Sequence, residues 1–292
     1  MRLATLEIDR NERIGIAEGD NFLILPDNGE WPSSLLALIE AGPDTHARLA
    51  AELPMLRRQA ARVPCSQARL RAPIPRPRKN IMCLGLNYRD HAEEIAHAKG
   101  LPVTIPEHAV VFTKNITSIN DPDGVIPAHS AVTTQLDWEV ELGVVIGTGG
   151  RAIAREQALR HVFGYTVIND VSARDLQFRH QQFFLGKSLD GACPMGPVLV
   201  TRDEISDPQK LSLRCRVNGE LKQDSNTAHM LIDVASIVSL LSQGMRLEPG
   251  DIIATGTPAG VGCARTPPEY LKPGDSVECE IEGIGILRNR VV

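Results

Sequence analysis

Trp138-Glu139-Val140-Glu141-Leu142-Gly143-Val144-Val145-Ile146-Gly147 reads as one β-strand with two glutamates at its start. Glu139 and Glu141 are two residues apart, so both side chains leave the same face, while Trp138, Val140 and Leu142 leave the other. Alone, an E-x-E pair describes a half-exposed strand with one wet face. Here the strand continues as Gly143-Val144-Val145-Ile146, apolar on both faces, which places the glutamates at the rim of a buried sheet. Two carboxylates in such a place repel each other unless a proton or a cation intervenes. Mg²⁺ and Mn²⁺, which prefer oxygen ligands, are the natural partners.

The next apolar run, FGYTVIND, closes on Asp170. Its carboxylate has two readings: the N-cap of a following helix, or a third oxygen ligand that leaves coordination positions open. Further short strands are expected in NIMCLGL, AVVFTK, PMGPVLVT, LSLRCRV, ELKQDS, DIIATG and SVECEIEG. Asn218-Gly219, between two alternating runs, is the strongest hairpin signal. Helices are expected near 90–99, 154–163, 172–184 and 231–242. Many strands with few helices predict an α+β fold, mainly β, in place of a regular βαβ array. Residues 1–72 form a small N-terminal unit, with a β-meander over 3–25 and helical spacing over 32–62. Residues 73–79 form a Pro/Arg-rich linker, and 80–292 the catalytic domain.

Outside the glutamates, His91 and Glu94 share one helix face, and Asp90 and Glu93 have capping-box spacing. The pair is either a surface ion pair or a general-base dyad that activates water. Lys187, in Gly186-Lys187-Ser188, lacks the first glycine of a phosphate loop, since Gln181 stands there, so nucleotide binding by that route is rejected. A lysine held by a glycine turn suits a developing oxyanion. Gly147-Thr148-Gly149-Gly150-Arg151-Ala152 matches a permissive dinucleotide fingerprint with Asp170 downstream. A strand of that kind is buried on both faces and would strand Glu139 and Glu141. The stretch is therefore read as a loop, and no nucleotide cofactor is expected.

The net charge of −5 gives no reason to expect a nucleic-acid partner. The basic run Arg69, Arg71, Arg76, Arg78 and Lys79 lies among prolines and reads as solvated. The six cysteines include no C-x-x-C pair, as expected of scattered thiols in a reducing compartment. MRLATLEIDR carries no long apolar run and no segment is long enough to span a membrane, so a cytoplasmic protein with neither signal peptide nor membrane partner is expected.

Taken together, GLNYRDHAEE (85–94), VVFTK (110–114), DWEVELGVVIG (137–147), NDVSARDLQ (169–177), LGKSLDGACPMGP (185–197), NGELKQDSNT (218–227), EPGDIIATGTPAGVG (248–262) and LKPGDSVECEIEGIG (271–285) resemble the fumarylacetoacetate hydrolase family. The resemblance covers roughly residue 78 to the end. It implies a fold of rolled mixed sheets, a homodimer, and one Mg²⁺ or Mn²⁺ per subunit held by Glu139, Glu141 and Asp170. It also implies that His91 and Glu94 activate water, that Lys187 stabilises an oxyanion or enolate, and that Lys114, Arg174, Gln177 and Thr257 contact the substrate. Asn115 departs from the proline that relatives often carry after the lysine, which puts the placement of Lys114 in question. The activity implied is hydrolysis of a C–C bond in a small 2,4-dioxo acid, of acylpyruvate or fumarylpyruvate type, through a metal-bound enolate. The alternatives within the family are isomerases or hydratases of muconate-type ring-fission products and oxaloacetate decarboxylases. A non-catalytic metal-binding protein is the distant alternative. The segment 95–108, with Gly100 and two prolines, is expected to act as a lid.

Overall fold

The computed structural model describes residues 1–98 and 100–292. The chain begins with a meander, β1 (Arg2–Ile8), β2 (Asn11–Glu18) and β3 (Asn21–Ile24), followed by helices α1 (Leu35–Glu40) and α2 (Gly42–Gln59). Short strands β4 (Arg62–Pro64) and β5 (Arg69–Arg71) lead into β6 (Ile81–Gly85), α3 (Arg89–Ala98) and β7 (Val110–Lys114). Strands β8 (Ile119–Asn120), β9 (Val125–Ile126) and β10 (Leu136–Asp137) precede the decisive pair, β11 (Val140–Ile146) and β12 (Val162–Asn169), which flank α4 (Arg155–Ala158). Then come β13 (Ser172–Ala173), α5 (Arg174–Arg179), α6 (Phe184–Lys187) and β14 (Cys193–Thr201). The chain ends with β15 (Ser212–Val217), β16 (Glu220–Asn226), α7 (Val234–Ser242), β17 (Ile252–Ala254), β18 (Ser276–Ile281) and β19 (Gly285–Val291).

Among the described residues, twelve strands make one sheet, whose main path runs β4-β3-β2-β1-β14-β12-β11-β17-β6-β7. Five more form a second sheet, β16-β15-β18-β19-β9. The fold is thus α+β with sheets dominating, as the strand count in the sequence predicts. β11 pairs antiparallel with β12 and with β17, so the β11–GTGG–α4 stretch is a loop between strand and helix and not a parallel βαβ unit. Both faces of β11 and β12 are buried throughout, and their side chains join a core that also takes in Leu213, Val277, Ile281 and Leu287 of the second sheet. The sequence reading had no strand at Gly285–Val291. There Arg288 and Arg290 alternate with inward Leu287, Asn289 and Val291, and two arginines and an asparagine mask the apolar half of the pattern.

The N-terminal strands extend the large sheet, because Arg2 and Leu3 of β1 pair with Val200 and Leu199 of β14. In residues 73–79 Pro73, Ile74 and Pro77 pack inward while Arg76, Arg78 and Lys79 stay exposed, as a solvated basic run should. Ile74 is fully buried, and the Thr5 hydroxyl donates to the Pro73 carbonyl at 2.8 Å. Arg71 reaches Glu7 and Asp121, Arg78 reaches Glu40, and Lys79 reaches Asp251. The basic run therefore rivets the N-terminal strands to the rest of the chain.

The Asn218-Gly219 hairpin is present: Val217 pairs with Glu220, and the two loop residues have φ of 52° and 80°. Both lie in the left-handed region, as a type I′ turn requires. A Cβ on Gly219 would meet no atom within 4 Å, so backbone conformation alone resists substitution. Gly219→Ala should destabilise the protein by about 1–2 kcal/mol in urea unfolding, while Asn218→Gly should change little. Equal stability of Gly219→Ala and the parent would contradict the turn assignment.

Candidate metal centre and active site

The site is built on the register of β11 against β12. Val140 lies opposite Asn169, so the next residues outward, Glu139 and Asp170, meet at the strand ends. The Asp170 N–H donates to the Glu139 carbonyl at 2.9 Å, and the Asn169 side-chain oxygen accepts from the Glu139 N–H at 3.1 Å. These bonds fix both backbones before any side chain acts. Asp170 caps no helix: it is fully buried, and α5 begins only at Arg174.

Glu139, Glu141 and Asp170 are all buried, and each offers an oxygen within 4.8 Å of the others. Cations already face two of them. Lys187 Nζ donates to Glu139 Oε2 at 2.6 Å and to Asp170 Oδ2 at 2.8 Å. Arg174 Nη1 lies 2.7 Å from Glu139 Oε1, and Lys114 Nζ 2.7 Å from Asp170 Oδ1. Among the described residues Glu141 has no such partner, and it accepts the Gly256 N–H at 2.8 Å. The consequences oppose each other. Burial works against the Glu139 carboxylate, yet Lys187 and then Arg174 pull its pKa down to about 2. Burial, with Asp170 and Glu139 as like charges, pushes Glu141 well above the ordinary carboxylate range.

With Asp137, four buried carboxyl groups face three buried cations here, so that with Glu141 ionised the cluster carries one negative charge in excess. Three converging oxygen donors with an uncompensated carboxylate fit a hard divalent cation. Glu139, Glu141 and Asp170 would hold it.

The cavity beside the carboxylates measures about 90 Å³ and is lined by His91, Glu139, Glu141, Arg174, Gln177, Lys187 and Thr257, with Leu84, Leu86, Ile95, Phe112 and Phe183 as apolar wall. His91 comes from α3. Its Nδ1 lies 3.3 Å from Glu94 Oε2, and Glu94 Oε1 accepts the Gly260 N–H at 2.8 Å. A neutral His91 that donates from Nδ1 presents Nε2 as its basic nitrogen. The capping box expected at Asp90 is absent. The helix already includes Asp90, whose carboxylate accepts the His91 N–H at 2.8 Å, and the Ala92 N–H bonds the Tyr88 carbonyl.

Not every expected substrate contact reaches the cavity. Lys114 lies behind Asp170, fully buried, with its remaining bond to the Val171 carbonyl at 3.1 Å. Thr257 Oγ1 donates to the Val140 carbonyl and accepts from Gln223 Nε2. Gln177 accepts from Arg174 Nη1 at 2.9 Å, and Arg174 Nη2 is buried without a partner. Of the segment 95–108, Ile95 lines the cavity, Leu101, Val103 and Ile105 are exposed, and Lys99 lies outside the described residues. Gly186 serves close approach more than a turn: a Cβ there would come 2.5 Å from the Gln177 nitrogen, so α6 can bring Lys187 in only if that position is bare. Sequence reasoning missed Asp137 and Gln223. The signal for Asp137 was available, because it precedes Glu139 by two residues as Glu139 precedes Glu141.

The family model described as Fumarylacetoacetate (FAA) hydrolase C-terminal matches residues 80–292. The chain belongs to the fumarylacetoacetate hydrolase family. It is 48% identical over 265 residues to oxaloacetate tautomerase YisK of Bacillus subtilis (strain 168), covering 89% of this chain and 87% of the relative. The solved fumarylacetoacetate hydrolase from psychrophilic Exiguobacterium antarcticum superposes with a TM-score of 0.86 at 45% identity, covering 100% of this chain and 99% of that one. Maleylpyruvate hydrolase from Sphingobium sp. SYK-6, solved with manganese(II) and pyruvate, gives a TM-score of 0.77 at 30% identity, with 100% and 99% covered. This family member is thus an enzyme with the family's rolled-sheet fold. Among its described residues, no helix is long and apolar enough to cross a membrane.

Two outcomes follow from the site. A Glu141 carboxyl raised on folding, against about 4.3 in the unfolded chain, favours the folded state while protonated. That contribution is whole below the unfolded value and is lost as pH rises through the folded one. A divalent cation needs the carboxylate, so the rise in melting temperature on adding Mn²⁺ should grow as pH is raised above the ordinary carboxylate range. A rise independent of pH would remove Glu141 from the ligand set. Gly186→Ala should displace Lys187 and lower turnover about 10²-fold, the scale of an ångström's misplacement at a catalytic centre. Unchanged kcat would show that α6 shifts without consequence.

Proposed function

We propose that the protein is a divalent-metal-dependent tautomerase of a small 2-oxo dicarboxylate, of the oxaloacetate class. The observation that carries this reading is the cavity. At about 90 Å³ it is small and mixes polar groups with an apolar wall, which suits a small oxo diacid over a bulky substrate. Its polar groups suit such a ligand: the carboxylate triad at one end, and the unpartnered Arg174 Nη2 as a donor for the second carboxylate. The name of the Bacillus subtilis relative supports the same class.

A metal held by Glu139, Glu141 and Asp170, Mg²⁺ or Mn²⁺, would supply Lewis acidity toward the 2-oxo group. The residues of this chain do the rest. Arg174 and Gln177 orient the diacid, and Lys187 offsets the charge that develops on the oxygen. From the keto form, His91 Nε2 removes a proton from the carbon next to the carbonyl and delivers it to the carbonyl oxygen, which gives the enol and returns the imidazole to its neutral form. The reverse passage returns the proton to carbon. Glu94, bonded to Nδ1, holds the ring and stabilises its cationic form. The apolar wall keeps bulk water from the exchanged proton. Lys114 acts from behind, fixing the Asp170 carboxylate.

Hydrolysis of an acylpyruvate is the second reading, favoured by the buried, anchored His91–Glu94 dyad and by the maleylpyruvate hydrolase likeness. In it His91 takes its proton from water. The test follows the enol absorbance of oxaloacetate and pyruvate release from acetylpyruvate, each with Mg²⁺, Mn²⁺ and EDTA. Metal-dependent loss of the enol, abolished in Glu141→Gln and slowed about 10²–10⁴-fold in His91→Ala, is the expected result. Enol decay at the solvent rate by metal-loaded protein would refute the tautomerase reading, and pyruvate release in its place would establish the hydrolase.

A further inference from the structure

Asp137 lies at the end of β10, completely buried, and both of its oxygens are saturated. Oδ1 accepts the N–H of Trp138 at 2.9 Å and of Gly262 at 2.7 Å. Oδ2 accepts Arg174 Nε at 2.8 Å and the N–H of Cys263 at 2.9 Å. Two parts of the site therefore hang on one carboxylate. One is the guanidinium, held edge-on so that Nη1 meets Glu139 and Gln177 and Nη2 is left free. The other is the loop around Gly262, whose Gly260 N–H holds Glu94. Trp138 adds a second tie to that loop, its indole N–H donating to the Gly260 carbonyl at 3.1 Å.

We propose that Asp137 is a positioning residue that sets the orientation of Arg174 and, through the 260–263 loop, that of the Glu94–His91 pair. It touches neither the cavity nor the metal-ligand oxygens and acts only through these partners. The inference rests on the roles given above to Arg174 and the His91–Glu94 dyad. No amide can replace the carboxylate, because its NH₂ group would face two donors whichever way it turned. The two arms separate in their effects. Loss of the Arg174 arm weakens binding of the distal carboxylate, whereas loss of the loop arm slows proton transfer.

The experiment compares Asp137→Asn, Asp137→Ser and Trp138→Phe with the parent protein. Serine, smaller and free of the donor clash, serves if the asparagine variant does not fold. Kinetics on oxaloacetate with Mn²⁺ should show, for the Asp137 variants, KM raised roughly tenfold, as for one lost charge-assisted hydrogen bond. Their kcat should fall about 10²-fold. Trp138→Phe, which removes the indole bond to the Gly260 carbonyl and leaves the Asp137–Arg174 bond in place, should lower kcat more than it raises KM. Mn²⁺ affinity, read by electron paramagnetic resonance, should fall with the lost carboxylate charge, so the kinetics are compared at saturating Mn²⁺. Amide hydrogen exchange, which needs no turnover, should quicken in 256–264 and in 89–98 for every folded variant. Folded variants with parental kinetics, or with parental exchange at 89–98, would overturn the proposal. Inactivity of the parent on oxaloacetate would refute the functional reading, and the exchange result would then decide the positioning role.

Discussion

The pairing of β11 with β12 is the constraint on which the site rests. Side chains alternate along a strand, so a one-residue slip would turn Glu139 and Glu141 into the opposite face and leave Asp170 without them. The register is held from both sides. Seven residues of β11 and eight of β12 are buried without exception, so a slip that turned charged side chains into that core would be costly. At the strand ends the hold becomes polar, through the bonds between Glu139 and the Asn169–Asp170 backbone and side chain. Hydrophobic burial thus sets the position of carboxylates that hydrophobic burial would otherwise reject.

The charges gathered there are costly to bury and are tolerated because nearly all are paired. A buried ion pair is weak evidence of stability, since desolvation offsets much of the attraction, but breaking one leaves an uncompensated charge. The cluster is therefore better understood as an arrangement that specifies geometry. Lys114, Lys187 and Arg174 each bind a carboxylate from a different element, so β7, α5 and α6 are drawn to the same strand ends. Glu141 stands outside this pairing, and its excess charge makes the site receptive to a cation. Once a divalent ion is counted, the local balance turns positive, and a dianionic substrate is then electrostatically welcome.

Members of one fold family share a scaffold more readily than a reaction. In this protein the metal end and the base end are carried by different parts of the chain, the sheet rim and helix α3. The loop near Gly260 joins them. Change at that joint, or in the apolar wall around Phe183, alters what the dyad can reach while the strand register that places the carboxylates is kept. Tautomerisation and hydrolysis differ in whether the base meets a carbon-bound proton or water, and that is a matter of access and size.

Local pattern was enough to identify the longer strands from Ile81 to Ile281, the Asn218-Gly219 turn and the E-x-E face, because alternation and turn chemistry act between near neighbours in the chain; the two-residue strands β8, β9, β10 and β13, the last inside the helix expected over 172–184, carry too few residues to show a pattern. The order of motifs likewise pointed to the family and to its carboxylate triad. Other features depended on contacts between residues far apart in the sequence. Lys114 looked like a substrate contact but meets Asp170 from behind, 56 residues away. Glu94 is fixed by Gly260 across 166 residues, and Asp137 gathers donors from Arg174 and from a loop 125 residues downstream. The basic run at 69–79 is solvated as expected, but its carboxylate partners come from distant parts of the chain. Sequence by itself determined the E-x-E face of its strand and the order of motifs that marks the family. Tertiary structure alone decided which side chains meet, because hydrogen bonds and ion pairs reach only a few ångströms and the packing of the sheets selects the pairs brought within that range.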